Sequence, residues 1–218
     1  PDFTSEQRSI INHAINGRSH DEVLINKFNL SITRRDILTL TGTNWLNDEV
    51  INFYMNLITE RSQLLADRGL PSVYAMNTFF LPRLMSSGYS GVRRWTRKID
   101  IFAHDIIPVP VHVGGIHWCM AIIHLKKKYI HYYDSMGDRD SNGFIMHLEN
   151  YLREESLDKR KQPFDTSDFV KASMTDCPRQ HNGSDCGVFS CMFAEYITRG
   201  RNLTFSQENM QYFRQKMI

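Results

Sequence analysis

Cys186 stands where the polar loop 180–185, Gln-His-Asn-Gly-Ser-Asp, gives way through Gly187 to the apolar segment 188–197. That pattern reads as the first turn of a buried helix. The unpaired N–H groups and positive dipole end of such a helix favour a thiolate over a thiol. Upstream, His117-Trp118 and Asp134-Ser135 lie in two apolar runs joined by Lys126-Lys127-Lys128. A nucleophilic cysteine, a histidine and an aspartate are the working parts of a cysteine protease.

The elements around these residues decide whether they can meet. The runs 116–125 and 129–133 are rich in β-branched and aromatic residues and read as strands of an antiparallel hairpin. A turn near Lys126-Lys127 sets His117 opposite Asp134 to within a residue or two. Neighbouring strands lie about 5 Å apart, so a cross-strand hydrogen bond is within reach. Asp134 then fixes one imidazole nitrogen and the other faces Cys186. Gln180 can donate its side-chain amide to a developing oxyanion, together with the Cys186 backbone N–H.

Each residue also has a plainer reading. Singly, His117 is a strand histidine, Asp134 a turn residue and Gln180 a solvated loop residue; the case rests on the set. His104, His112, His124, His131, His147 and His181 compete as bases; His112 could line the same cleft, and His181 lies close to Cys186 in sequence with no carboxylate orienter in its loop except Asp185. Cys119 and Cys191 sit inside a strand and a helix, where cysteines are ordinarily inert small hydrophobes. Cys177 precedes a proline in a polar loop.

Helices are expected at 1–20, 44–61, 89–98, 141–155, 186–198 and 206–216. Asn47 or Asp48 would cap the second, and Val50, Ile51, Phe53, Tyr54, Leu57 and Ile58 form its apolar stripe. Extended segments are expected at 23–32, 74–81, 99–102 and 106–113, and 163–175 reads as a loop with extended pieces. Helices flanking a run of strands that includes a tight hairpin indicate an α+β fold rather than repeated βαβ units.

Bulk properties narrow the function. With 218 residues, 41% of them hydrophobic and 23% charged, the chain suits one soluble domain spanning residues 1–218. A net charge of +2 with scattered basic residues gives no case for a nucleic-acid partner. No C-x-x-C pair occurs among the 4 cysteines, so no metal site is expected. No signal peptide or bilayer-spanning run is visible, and reduced thiols in an intracellular setting are expected. Glycosylation sequons occur at Asn29, Asn182 and Asn202, and a glycan on Asn182 would crowd Cys186.

Further stretches carry a resemblance. They are Asn-Trp-Leu-Asn-Asp-Glu-Val-Ile-Asn-Phe-Tyr at 44–54, Gly-Leu-Pro-Ser-Val at 69–73, Asn-Thr-Phe-Phe at 77–80 and Arg94-Trp95. Ile-His-Trp at 116–118, Tyr-Tyr-Asp-Ser-Met at 132–136 and Asn-Gly-Ser-Asp-Cys-Gly at 182–187 complete them. In this order the chain resembles the catalytic domain of the SUMO-specific cysteine proteases, also called sentrin-specific or ubiquitin-like-specific proteases.

The resemblance implies a papain-like core with a central mixed sheet, and the nucleophile at the N-terminus of a buried helix. It implies His117, Asp134 and Cys186 as the triad and Gln180 as the oxyanion donor. Trp45 and Trp118 would cover a Gly-Gly tail, while Asp48, Phe79, Arg94, Trp95, His112 and Ser184 would contact the folded body of SUMO. Without the resemblance, Asp48 reads as a helix cap and Phe79 and Trp95 as core.

The implied activity is cleavage after the C-terminal Gly-Gly of SUMO, in precursors and in lysine conjugates, by a monomer that needs no cofactor. A nuclear or nuclear-pore location is implied by the resemblance alone, as is a longer protein of which this is the C-terminal part. Alternatives are a protease for another ubiquitin-like modifier or ubiquitin, and an inactive SUMO-binding module. Acyl transfer to an amine instead of water would use the same triad. Two departures from the pattern stand out: the loop 62–69 is long, and Gly114-Gly115 adds a residue beside the site.

Overall fold

A computed structural model describes residues 2–218. Helix α1 (Ser5–Asn16) leads into a hairpin of β1 (Val23–Lys27) and β2 (Leu30–Thr33), followed by α2 (Arg34–Leu38), α3 (Asp48–Leu64) and α4 (Phe80–Ser87). Strands β3 (Ile106–Val113), β4 (His117–His124) and β5 (Tyr129–Tyr133) come next. Helix α5 (Phe144–Glu155), β6 (Val170–Ser173), α6 (Cys186–Thr198) and α7 (Met210–Met217) complete the chain.

The larger sheet has the order β3-β4-β5-β6. Its first two pairings are antiparallel and β5–β6 is parallel, the connection running through α5. The sheet is therefore mixed and the fold α+β, as expected. Side chains alternate across it. Trp118, Met120 and Ile122 of β4 join α6 and α3 in one core cluster. Cys119, Ala121 and Ile123 join α4 and α5 residues in the other. Helix α6 is apolar nearly all round, and every residue from Cys186 to Ala194 is buried.

Helix α3 starts where its cap allows. The Asn47 side chain accepts from Val50 N at 3.1 Å and donates to Asp36 at 2.9 Å. Asn47 is thus the cap and Asp48 the first helical residue. Val50, Ile51, Met55 and Ile58 face the core, while Leu57 of the expected stripe is exposed.

Other elements differ from expectation for identifiable reasons. The segment 74–81 is not a strand. Val73 makes one bridge to Ile106, and Tyr74 N and Met76 N bond the Ile106 and Pro108 carbonyls. Pro108 and Pro110 lack the N–H groups that would extend that ladder, which keeps β3 at the sheet edge. The chain then turns into α4, with Phe79 at its start.

The helix expected at 89–98 is a short 3-10 turn, Tyr89–Gly91, followed by further turns. The extension of α5 binds it from outside: Lys159 Nζ donates to Arg93 O at 2.8 Å and to Thr96 Oγ1 at 2.7 Å. Residues 99–102 likewise form a 3-10 turn, Ile101–Ala103, capped by Asp100. The segment read as the loop 62–69 is mostly ordered as the last turn of α3 and a 3-10 turn, Ala66–Arg68.

Candidate active site

His117 opens β4 and Asp134 directly follows β5. The register Met120↔Tyr133 sets Asp134 across from Cys119 rather than His117. His117 reaches it diagonally, and His117 Nε2 lies 2.7 Å from Asp134 Oδ1. The loop before His117 closes tightly because Gly114 and Gly115 both hold positive φ, of 61° and 72°.

Asp134 is buried and also accepts from Met136 N at 2.8 Å. Burial opposes its charge, but the hydrogen bonds from His117 and Met136 outweigh burial and hold the carboxyl below its usual range. His117 moves the other way, pushed up to about 12. The hydrogen bond to Asp134 is the largest cause, followed by those with Cys119 and Cys186, against the opposing effect of burial.

Cys186 is the first residue of α6, with Asp185 at the N-cap. Its sulfur accepts from Trp118 N at 3.4 Å, which brings the helix terminus against the start of β4. All of the cysteines are free thiols. Burial raises Cys119, Cys177 and Cys191, so none of these three is poised as a nucleophile.

Gln180 is buried beside them. Its backbone N–H donates to Ser135 O at 3.0 Å, and its Oε1 accepts from the Ser135 hydroxyl. Its Nε2 donates to Asn182 O at 2.6 Å, which uses one of two amide protons and leaves the second.

The two tryptophans differ. Trp118 is 4% exposed; its indole N–H donates to Leu46 O at 3.1 Å and its ring stacks on His112 at 3.8 Å. Trp45 is 57% exposed. Trp118 is therefore a fixed wall and Trp45 a free indole at the edge. Helix α6 packs closely behind: a Cβ on Gly187 would stand 3.0 Å from Leu46 Cβ and 3.4 Å from Trp118 Cδ1.

Phe79 and Trp95 are exposed and line one cleft of about 580 Å³ with Glu49, Asn52 and Asn77. Trp95 is not on a helix; its ring meets Phe80 edge-on at 6.1 Å. Arg94 is exposed on the adjoining surface and Asp48 half-buried. Ser184 is buried instead, and its hydroxyl donates to Asn182 Oδ1 at 3.3 Å.

Sequence reasoning missed the framework behind Cys186. Asp185 is buried and ion-paired with the equally buried Arg214 at 2.7 Å. It also accepts from Asn182 and Gln207, each at 2.8 Å. Burial opposes its charge, yet these bonds hold its carboxyl below the usual range. A separation of 29 residues leaves no local signal for the pair. The role of Ser135 was equally hidden, though it adjoins Asp134.

Among the described residues, His117, Cys119 and Asp134 offer ligand atoms within 4.8 Å of one another. The histidine and carboxylate atoms are already bonded to each other, so this reads as a hydrogen-bonded cluster rather than a metal centre. No helix among the described residues is long and apolar enough to cross a membrane.

A thiol at a helix N-terminus beside a His–Asp pair carried by the β4–β5 hairpin is the arrangement that cysteine-type peptidases use. Residues 44–218 match the Ulp1 protease family, C-terminal catalytic domain, and the chain belongs to that family. It is 47% identical over 210 residues to a sentrin-specific protease of Caenorhabditis elegans, covering 96% of this chain and 30% of that protein. It is 42% identical to sentrin-specific protease 2 of Homo sapiens, covering 100% of this chain and 36% of that one. The chain thus spans about a third of the length of these relatives. The yeast Ulp1 C-terminal protease domain, solved in complex with Smt3, the yeast ortholog of SUMO, superposes with a TM-score of 0.84. It shares 33% identity, over 100% of this chain and 94% of that one.

Proposed function

We propose that residues 1–218 form one catalytic domain that cleaves after the C-terminal Gly-Gly of SUMO, in precursors and in conjugates to lysine. The observation that carries the reading is the joined set: Cys186 bonded by Trp118 N, and His117 held by Asp134 at 2.7 Å.

The steps follow from the residues. Asp134 holds Nε2 of His117, so Nδ1 serves the sulfur. The Cys186 thiolate attacks the carbonyl carbon of the terminal glycine. The resulting oxyanion accepts hydrogen bonds from the second Nε2–H of Gln180 and from the backbone N–H of Cys186. As the tetrahedral intermediate collapses, the C–N bond breaks. His117 delivers its proton to the departing amine, a lysine ε-amine or a peptide α-amine. Water enters, gives a proton to His117 and attacks the thioester, releasing carboxylate and regenerating the thiolate.

Tail selection rests on the unequal tryptophans. Trp118 is immobilised by His112 and Leu46, and Trp45 is free to close over a chain without side chains. The body of the modifier would dock on Phe79, Arg94 and Trp95, beside Asp48. An interface of this type buries on the order of 1,600 Å². His112 acts through Trp118, and Ser184 contributes through the shape of the nucleophile loop rather than its hydroxyl. A nuclear or nuclear-pore location is proposed with this activity on the family resemblance alone.

The test is covalent capture by SUMO, and separately by ubiquitin, each bearing a C-terminal vinyl sulfone. A SUMO adduct lost in Cys186→Ser supports the reading. Capture by ubiquitin alone would overturn the substrate, and tight SUMO binding with no adduct would make the protein a binding module.

A further inference from the structure

Arg214 lies on α7, far along the chain from every residue of the triad, and is 1% exposed. Its donors all point at the framework of the site. Nε donates to Asp185 Oδ1 at 2.8 Å, and Nη2 donates to Ser184 O at 3.2 Å. Those two residues immediately precede Cys186. Nη2 also donates to Asn44 O at 2.9 Å, and Nη1 to Thr39 O at 3.3 Å. Asn44 immediately precedes Trp45. One planar guanidinium thus spans the loop that carries the nucleophile and the loop that carries the free indole.

We propose that Arg214 is a positioning residue for the reaction: it neutralises Asp185 directly behind Cys186 and ties the Trp45 loop to the nucleophile loop. This rests on the reading of Cys186 as nucleophile. An unpaired buried carboxylate on the residue immediately before Cys186 would oppose a second negative charge on the sulfur. Paired with Arg214, the Asp185 carboxylate keeps its bonds from Asn182 and Gln207 without cancelling the helix dipole at Cys186.

Of the other titratable groups around the site, His117 hydrogen-bonds the sulfur and the rest stand behind it on the packed elements. His117 lies on β4, with Cys119 and Asp134 behind it; His112 stands across Trp118 on β3; Cys177 donates to the Asp134 carbonyl. None of them touches Arg214, so their effects are common to all the variants below.

The experiment measures alkylation of Cys186 by iodoacetamide against pH, followed on the Cys186 peptide by mass spectrometry. The proteins are wild type, Arg214→Met, Asp185→Asn and the double variant; SUMO cleavage is assayed in parallel. In Arg214→Met the acid limb should move to higher pH by about one unit, a tenfold loss of reactive thiolate at a fixed pH below it. In Asp185→Asn it should move to lower pH, because the arginine charge is then unopposed. The double variant should return towards wild type. Coincident limbs in all variants, with only melting temperature lowered, would reduce Arg214 to a structural brace and overturn the proposal. If Arg214→Met does not fold, Asp185→Asn alone decides, and an unmoved limb overturns it. Full SUMO cleavage after complete alkylation of Cys186 would instead overturn the assignment of the nucleophile.

Discussion

Ser135 and Gln180 are bonded twice, through the backbone at 3.0 Å and through their side chains, Ser135 Oγ to Gln180 Oε1. The Asn182 carbonyl, which can only accept, fixes which end of the amide is which: Nε2 donates to it at 2.6 Å and keeps a second proton for the site, while Oε1 accepts from the Ser135 hydroxyl. Gln180→Ala should therefore lower kcat by about 100- to 1000-fold, the usual cost of one oxyanion donor. Ser135→Ala removes only the bond to Oε1 and should cost roughly tenfold, with KM for SUMO little changed. Steady-state kinetics on a fluorogenic SUMO substrate separates the two; an unchanged kcat in Gln180→Ala would remove the residue from the mechanism.

The His117–Asp134 pair has a pH signature. His117 is raised above its ordinary value, so its stabilising effect is complete below about pH 6.5 and is lost as pH climbs towards about 12. Asp134 is lowered, so its effect is present above its ordinary value of 3.8 and is lost as pH falls through its folded value. The pair contributes most between these limits. The melting temperature of Asp134→Asn should fall furthest below wild type near pH 5–6, and the gap should narrow in alkali. The basic limb of kcat/KM should also move to lower pH in the variant. A gap independent of pH would mean that the pair is not charged in the folded protein.

Gly187 tests how tightly the helix backs onto the slot. Gly187→Ala places a methyl group 3.0 Å from Leu46 Cβ, and the Leu46 carbonyl holds the Trp118 indole. The helix itself would welcome alanine, by up to about 1 kcal/mol. Overpacking of this kind costs about 1–3 kcal/mol, so the variant should be net destabilised or neutral. Its KM for SUMO should rise, because Leu46 moves with the Trp45 loop. Thermal denaturation and substrate titration check both; a more stable variant with unchanged KM would mean that the loop yields freely.

What could be read from the sequence depended on how local the cause was. Helix α6 was legible because its apolar run, flanking glycine and end lie within one short stretch. The β4–β5 hairpin was legible because alternation and a lysine turn are local too, although its register places Asp134 across from Cys119 and not His117. The segment 74–81 was misread because aromatic residues suggested a strand, while the deciding fact was a pair of prolines some thirty residues on, in β3. Residues 89–98 looked helical, but Lys159 supplies bonds that hold them in turns. Arg214 falls within the helix expected at 206–216, where no local signal marks it out. Only the fold shows that it is buried on Asp185.

The unequal burial of the tryptophans separates binding from stability. Trp45 is 57% exposed, so Trp45→Ala should change folding stability by no more than about 0.5 kcal/mol. Its effect should fall on the tail: KM for SUMO rises, and kcat falls because the glycine carbonyl is less well held over the sulfur. Trp118 is 4% exposed, stacked on His112 and bonded to Leu46, so Trp118→Ala should cost about 3–5 kcal/mol of stability. It should also disturb Cys186, whose sulfur accepts the Trp118 backbone N–H at 3.4 Å. Parallel melting curves and SUMO kinetics on the two variants give the contrast. Equal destabilisation would show that Trp45 packs as core in solution. Equal and small KM changes would show that neither indole grips the tail, leaving the Phe79–Trp95 cleft to carry recognition.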